Sequence, residues 1–462
     1  AGMTRRISLA APLLALALSA CMGAGMPPKT VIPQAAGGAF AEVPVASIAP
    51  VPEDWWRLYD DPQLDALVMA SLAANADLRV AYANLDGARA ALRQARAARL
   101  PTTTVESALT LDNPSNQPSA ASVSASDWDI AATASWDIDL FGRLRSGALA
   151  ARADAEAQAA ALDGVQVAVV ADTVQAYVEF CAATRATAEA KSVAAAQERS
   201  VALVKEQLAA GEVSPLEVSQ VAALSASTRA AIAPFEAQRM NALYRIATLQ
   251  GRPPAEARGF ALACEAAPRL KGALPVGDGT ALLLRRPDVR EAERKLATAS
   301  ARVGVARADF YPRVNLGGAL GLLAGGFDAV ASPLISWAFP NMAPARAKMA
   351  QARASEQAAL AGWDVAMLRA LREVETGLAS YEAEMRRNRD LAEAQSQAQD
   401  YARRTAARVR YGDAAGLLQV DAERTLATAR LARVQSDMAL AQAEVTLFRA
   451  LGGGWRGGAQ AR

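Results

Sequence analysis

The chain has 462 residues and a formal net charge of +2, with its 49 basic and 47 acidic residues interleaved and no basic stripe that would favour nucleic acid. It contains no histidine, which removes His-based triads and His-dependent metal sites. No nucleophile or phosphate loop stands out either. The sequence therefore predicts no enzyme: no catalytic residue, no metal site and no cofactor beyond a covalent lipid.

The N-terminal residues have the pattern of an export signal. Two arginines precede an apolar run from Ile7 to Leu18, and Leu18-Ser19-Ala20-Cys21 follows. That run of about twelve residues is too short to cross a bilayer comfortably. Its end resembles the bacterial lipobox, which implies a signal peptide over 1–20, acylation of Cys21 and an extended, lipid-anchored segment over 21–54. An ordinary signal peptide with a chance cysteine is the alternative.

Two similar units follow each other along the chain. A step of 201 residues pairs Trp136 with Trp337 and Gly211 with Gly412, whereas a step of 211 pairs upstream residues such as Pro101 and Pro312. A period this long is not that of a solenoid repeat and suggests two pseudo-symmetric halves. The predicted divisions are a first repeat over 55–254, a linker over 255–279, a second repeat over 280–455 and a tail over 456–462.

Each copy is predicted to contain one long helix. Aromatic residues are 5% of the chain, and helix formers such as Ala, Leu, Arg and Glu dominate. A helix over 143–210 would be about 100 Å long at 1.5 Å per residue. A turn over 211–215 and a helix over 216–249 come next. The second copy repeats this plan with a helix over 344–411, and antiparallel pairing would give a helical wall.

Between Pro101 and Gly142 the periodicity changes from helical to two. Apolar and polar residues alternate from Trp128 to Leu140, which predicts the second strand of a hairpin over 102–141. Trp128 and Trp136 would lie roughly 26 Å apart along that strand, close to the height of a membrane belt between aromatic girdles.

A second, weaker hairpin is predicted over 313–340, with strands over 314–323 and 334–339, and it adds Trp337 to the girdle. A soluble hairpin is the alternative for this pair alone. Four strands cannot close a barrel, and lipid does not tolerate an open sheet edge. The chain must therefore oligomerise if these strands enter a membrane.

Cys181 and Cys264 are the only other cysteines besides Cys21. An exported, oxidising compartment permits a disulfide between them. The alternative is that they are two small buried apolar residues.

Several motifs together resemble one family. Trp55-Trp56, Asp61-Pro62, Arg285-Arg286-Pro287-Asp288 and Tyr311-Pro312 are similar to TolC-like outer-membrane efflux proteins, in the lipoprotein, NodT-type branch that serves resistance-nodulation-division pumps. The resemblance implies a mainly α homotrimer in the outer membrane, whose helical tunnel extends into the periplasm and continues a twelve-stranded membrane β-barrel. It also implies contact with outer-membrane lipids, a periplasmic adaptor and an inner-membrane pump.

The same resemblance implies that the helix-turn-helix tips narrow the entrance and meet the adaptor. The matching tips are Gly211–Val218 and Gly412–Asp421, and the aperture candidates are Asp421, Leu418 and Glu217. Family members often carry two acidic residues three apart in the second tip, but Leu418 occupies the first position here. An exposed ion pair between Asp421 and Arg424 is the alternative role for that carboxylate.

Two rival functions are open. The first is an outer-membrane channel of a type I protein secretion system, against which the lipobox and the Arg-Arg-Pro-Asp stretch argue. The second is a periplasmic coiled-coil scaffold without a pore. The alternating strand with its paired tryptophans argues against the scaffold, because a scaffold needs no such strand.

Overall fold

The computed structural model describes residues 46–47, 51–112, 124–264, 267–270, 274–277, 279–323, 326–414 and 416–453. Cys21 lies outside the described residues. The chain forms two compact units, and each draws on both copies of the repeat. The first contains Ala83–Ala160 and Arg290–Ala366, and the second contains Ala161–Val289, the stretch that ends at Tyr82 and the chain from Met367 onwards.

Helices account for most of the described chain, and two of them have 67 and 68 residues. Two short 3-10 helices, Trp55–Tyr59 and Pro254–Gly259, accompany them. The helices are α1 Pro62–Ala74, α2 Ala76–Ala97, α3 Arg143–Ala209, α4 Pro215–Ala230, α5 Ile232–Leu249, α6 Gly279–Arg285, α7 Pro287–Ala308, α8 Ala343–Arg410 and α9 Gly416–Ala450. The strands are β1 Ala46–Ser47, β2 Thr102–Asp112, β3 Ser124–Ile138, β4 Leu274–Pro275, β5 Arg313–Leu323 and β6 Gly326–Ser336.

The predicted helix over 216–249 is interrupted, because α4 ends at Ala230 and α5 begins at Ile232. Pro234 explains the break. Its nitrogen cannot donate to the carbonyl of Ala230, and its ring crowds that carbonyl. The second copy has Gln435 at the equivalent position, 201 residues on, and α9 runs through it without a break.

The two long helices end in the same way. Gly211 and Gly412 adopt φ values of +74° and +75°, which glycine reaches without a Cβ clash. In the first copy Glu212 donates its backbone N–H to the carbonyl of Gln207 at 2.9 Å, and in the second Asp413 donates to Arg408 at 2.9 Å. This hydrogen bond closes a Schellman turn. The duplication seen in the sequence is therefore also a duplication of backbone geometry.

The first unit contains one antiparallel sheet with the strand order β2-β3-β5-β6. The pairing of β3 with β5, from Ile130 opposite Leu322 to Ile138 opposite Val314, joins the hairpin of the first copy to that of the second. In the second unit, β1 and β4 form a short parallel pair.

The structure corrects the predicted bounds of two strands, β3 and β6. The strand predicted to reach Leu140 ends at Ile138, because Asp139 accepts hydrogen bonds from the backbone N–H groups of Leu144 and Arg145, at 3.1 and 2.7 Å, and so caps α3. In the second hairpin, β6 covers Gly326–Ser336 instead of 334–339. Small residues and a proline obscure its alternation in the sequence.

The core of the second unit is built around Trp55. Its indole is fully buried and stacks on Phe448 with ring centroids 4.4 Å apart. Nearby, the hydroxyl of buried Tyr177 donates to Asp61 at 2.7 Å. Asp61 also accepts the backbone N–H of Gln63 at 2.9 Å and so caps α1. These contacts give the Trp55-Trp56 and Asp61-Pro62 motifs a structural role, because they hold the start of the first copy against helices α3 and α9.

Equivalent residues of the two copies make equivalent contacts in this core. The Asn75 side chain donates to the carbonyl of Leu249 at 3.0 Å, and Arg286 donates to the carbonyl of Ala450 at 2.8 Å. Arg286 also binds the carboxylates of Asp288 and Glu373, each at 2.7 Å. Arg286 of the Arg-Pro-Asp motif is therefore a buried residue whose hydrogen bonds join α7, α8 and α9.

The structure joins Cys181 and Cys264 in a disulfide with a Cα–Cα distance of 5.2 Å. Cys181 lies in α3 and is fully buried. The bond therefore fastens the linker between the copies to the first long helix.

Within the described residues, α3 is the one helix with a stretch long and apolar enough to cross a membrane, but 72% of that stretch is buried inside the protein. A helix buried to this extent belongs to the protein interior. The strands, and not this helix, are therefore the candidates for contact with lipid.

Candidate functional site: a four-stranded sheet and two helical tips

The sheet has one apolar face and one polar face. The pairing aligns Trp136 with Leu316 and Ala132 with Leu320 on the first face, and these leucines are 40% and 49% exposed. Further exposed apolar side chains lie on the same face: Val105, Ile130, Phe327 and Ile335. A row of large apolar side chains open to the surroundings indicates a surface that contacts lipid or another protein.

The opposite face carries threonine and serine along β2 and β3, whereas Val330 and Leu334 of β6 are exposed on it. Ser135 donates its hydroxyl to the Asn315 side chain at 3.1 Å, and Thr102 donates to the carbonyl of Ser135 at 3.1 Å. Polar and apolar residues alternate along the strands because successive side chains point to opposite faces. Such a sheet suits a position with water on its polar side and lipid hydrocarbon on its apolar side.

Trp136 and Trp337 lie at equivalent places in the two copies. The Trp136 indole donates to the carbonyl of Arg99 at 3.0 Å, and that of Trp337 donates to Phe310 at 3.2 Å. Both rings are about half exposed, at 40% and 50%. An indole that keeps one edge hydrogen-bonded and exposes the rest suits a membrane interface. The Trp128 backbone pairs with Leu109, but its side chain lies outside the described part of the structure.

The first tip places Glu217 as a capping residue. Its carboxylate accepts the backbone N–H of Ser214 at 2.6 Å, at the start of α4. A glutamate three residues after the N-cap satisfies one of the free amides at the helix end. The structure therefore gives this aperture candidate a local role.

The second tip places Asp421 and Leu418 on the first turns of α9. The Asp421 side chain is 48% exposed and pairs with Arg424 at 2.8 Å, which is the ion pair expected as its alternative role. Two residues further on, Glu423 accepts a hydrogen bond from the Ser200 hydroxyl at 2.6 Å, which ties α9 to the first long helix.

A groove of about 850 Å³ runs between α4 and α9 and brings the two tips together. Leu418 and Asp421 line one wall, while Gln220 and Leu224 line the other. Glu217 is not among the lining residues. Across the described parts of the chain, no cluster of three or more metal-ligating side chains occurs. The groove is thus a mixed apolar and charged surface that suits a polypeptide partner.

Sequence reasoning missed one buried ionisable cluster. Glu444 is 7% exposed and lines a cavity of about 570 Å³ together with Tyr381 and Arg269. Burial raises the pKa of Glu444 to about 7, against the opposing effects of Tyr59 and Arg269. Burial and the neighbouring Glu444 also raise the pKa of Tyr59 well above its ordinary value. A glutamate in the mainly apolar last turns of α9 was the only signal available.

The sheet and the tips have counterparts in proteins that are already known. A family model described as "Outer membrane efflux protein" matches residues 67–252 and 280–453. The chain belongs to this family. The two matched segments lie in the two copies of the repeat, so the duplication is a property of the outer membrane efflux protein fold.

Relatives of similar length agree with this assignment. The toluene efflux pump outer membrane protein TtgC of Pseudomonas putida is 29% identical, and the match covers 96% of both chains. Outer membrane protein OprJ of Pseudomonas aeruginosa is 30% identical over 97% of this chain and 96% of its own length. Among solved structures, the outer-membrane channel OprN matches with a TM-score of 0.84 and 32% identity, covering 93% of this chain and 99% of OprN.

These matches confirm the mainly α fold with its membrane strands and the outer-membrane location, with helices extending into the periplasm. They also confirm that this efflux protein is a channel component and not an enzyme. The roles of Asp421, Leu418, Glu217, Cys21 and the tryptophans stay predictions.

Proposed function

We propose that the chain is the outer-membrane duct of a three-part efflux system. It assembles as a homotrimer and receives substrate from an inner-membrane resistance-nodulation-division pump through a periplasmic adaptor. The relatives' names support the pump connection, because TtgC is named as part of a toluene efflux pump. The absence of catalytic chemistry in the family fits a passive conduit.

The outer edges of the sheet carry this proposal. In the sheet that the structure describes, β2 and β6 each have one edge without a strand partner. Open edges are not stable in hydrocarbon. β6 is the second-copy counterpart of β3, and β5 is the second-copy counterpart of β2. The β3–β5 pairing within one chain therefore provides a template for β6 of one chain on β2 of the next. Three chains joined in this way give a closed twelve-stranded barrel.

A loss-of-function experiment tests the efflux role. A strain that lacks this chain should become sensitive to small organic compounds such as toluene, and the parent chain should restore tolerance. A chain shortened by the β5–β6 hairpin is the control, since it keeps the tip helices but cannot close the barrel. Unchanged tolerance in the deletion strain, together with loss of an exported protein, would favour the secretion-channel alternative.

The aperture belongs to the same proposal. Three-fold symmetry would bring three Asp421 carboxylates and three Leu418 side chains towards the axis, with Glu217 stabilising the neighbouring tip. A ring of negatively charged carboxylates favours the passage of cations. The ion pair with Arg424 offsets part of that charge in each chain.

Two variants separate the ring from the ion pair. In single-channel recordings, Asp421→Ala should lower the preference for cations, because it removes the carboxylates. Arg424→Ala should preserve or increase that preference, because it leaves the carboxylates unpaired. If the two variants behave alike, Asp421 serves only as the partner of Arg424 and the gate assignment is wrong.

The lipid anchor completes the proposal. The lipobox at residues 18–21 supports acylation of Cys21, which would hold the mature N-terminus in the inner leaflet of the outer membrane. Intact-mass measurement of the mature protein checks for the acyl chains.

A further inference from the structure

The last three turns of α8, together with Tyr411 directly after them, carry a cationic and aromatic surface. We name it the Arg404 face. Tyr411 is 85% exposed on it, whereas Thr405, on the opposite side of the helix, is 3% exposed and packs inward. The face consists of Tyr401, Arg403, Arg404, Ala407, Arg408, Arg410 and Tyr411, all of them exposed.

Two of its four arginines have no carboxylate partner in the part of the chain that the structure describes. Arg403 pairs with Asp400 at 2.8 Å, and Arg408 pairs with Asp413 at 3.1 Å. Arg404 and Arg410 form no ion pair within the described residues. A guanidinium presents several N–H donors in a fixed plane, and carboxylates are its preferred acceptors. The Arg404 face therefore has unused capacity for acidic groups.

The first copy lacks this set of arginines and tyrosines. Leu203 and Ala209 stand where the second copy has Arg404 and Arg410, and Gln207 stands where it has Arg408. Both tips nevertheless use the same glycine turn and the same closing hydrogen bond. Since the turn forms without these arginines in one copy, the fold does not require them in the other.

The spacing of the face suits a helix. Arg404, Ala407 and Tyr411 recur at intervals of three and four residues, which is the spacing of a helix-packing seam. The small Ala407 side chain at the centre permits a close approach, and the arginines flank it. Arginine and tyrosine are also the residue types that contribute most often to interface energetics.

We propose that the Arg404 face docks a helix of a periplasmic partner protein that carries Asp or Glu at the matching spacing. The partner therefore engages the tip of the second copy in preference to that of the first. This inference rests on the proposed function, which places an adaptor at the tips. It adds the chemistry of the contact and the choice between two otherwise similar tips.

Peptide probes test the chemistry on the full mature protein in detergent. One helical peptide carries glutamates three and four residues apart, and a second carries lysines at the same positions. The glutamate peptide should bind the parent, and the double variant Arg404→Glu/Arg410→Glu should weaken that binding by about tenfold or more. The lysine peptide should bind only the variant. Added salt should weaken both interactions, because the charges are exposed.

The matched control is Arg386→Glu/Arg389→Glu, which makes the same charge change on exposed positions of the same helix, several turns away. It should leave binding of the glutamate peptide unchanged. Equal losses in the two variants would show that only net charge matters and would overturn the proposal.

Two further results would overturn it. A glutamate peptide whose helix is broken by glycine and proline should bind poorly; equal binding would show attraction of any polyanion and no helix docking. Loss of the trimer in the Arg404→Glu/Arg410→Glu variant, measured by light scattering, would assign the face to a second copy of this chain. Recording of ion conductance by the parent protein in planar bilayers tests the duct separately. A parent that does not conduct would contradict the proposed function without affecting the peptide-binding result.

Discussion

At the scale of single residues, Glu444 shows how the packed core changes the chemistry of a side chain. Its carboxyl lies in the second unit beside Tyr59, and one of its oxygens has no hydrogen-bond partner among the described side chains and backbone. Burial of an ionised carboxylate is unfavourable, which is why burial raises its pKa to about 7. The neutral form is therefore the one that suits the core.

The raised pKa predicts how stability depends on pH. Between the ordinary carboxyl pKa of 4.5 and about 7, the folded protein keeps the Glu444 proton while the unfolded chain releases it. Stability should therefore fall as the pH rises through this interval and remain lower above it. Glu444→Gln, which is always neutral, should melt at a higher temperature than the parent at pH 8, with a gain of roughly 1–3 kcal/mol.

Thermal unfolding of the protein at pH 5 and pH 8 measures the effect. At pH 5 the parent and Glu444→Gln should melt nearly together. Glu256→Gln is the control, since that carboxylate is exposed and paired with Arg252. If the parent and Glu444→Gln differ by the same amount at both pH values, the carboxyl does not titrate in this interval.

At the scale of elements, the accuracy of the sequence prediction depended on how local each signal was. The turns at Gly211 and Gly412 were predicted because glycine alone satisfies a positive φ without strain. The long helices were predicted within one or two residues because their propensity extends over many turns. The strand β3 was found from its alternation, but its end was misplaced by the cap that Asp139 forms.

Non-local contacts could not be predicted. The bond from Arg286 to Glu373 joins residues 87 positions apart, and Glu444 raises the pKa of Tyr59 from the opposite end of the chain. A single sequence contains no signal for such pairs, because each residue alone is compatible with an exposed position. The disulfide was left open for the same reason, since the distance between two cysteines depends on the fold. At the tips, Asp421 and Leu418 were located, but their partners across the groove were not.

At the scale of the whole molecule, the duplication predicts how neighbouring chains join. Within one chain, Ser135 of β3 lies opposite Gly317 of β5. The repeat steps of 201 and 211 convert this pair into Ser336 of β6 opposite Glu106 of β2 in the next chain. Both side chains then fall on the polar face of the sheet, so the register keeps the apolar faces of neighbouring chains continuous.

Engineered cysteines test this register. Ser336→Cys/Glu106→Cys should form disulfides between chains and yield covalent trimers on a non-reducing gel. Within one chain the two positions lie on opposite edges of a four-stranded sheet, separated by about 14 Å across the strands at about 4.8 Å per strand and by a further distance along them, which is too far to bridge. The control Ser336→Cys/Ser107→Cys shifts one position by a single residue, which turns that side chain to the opposite face. It should remain monomeric on the gel, and efficient cross-linking of the control but not of the first pair would show that neighbouring chains join in a different register.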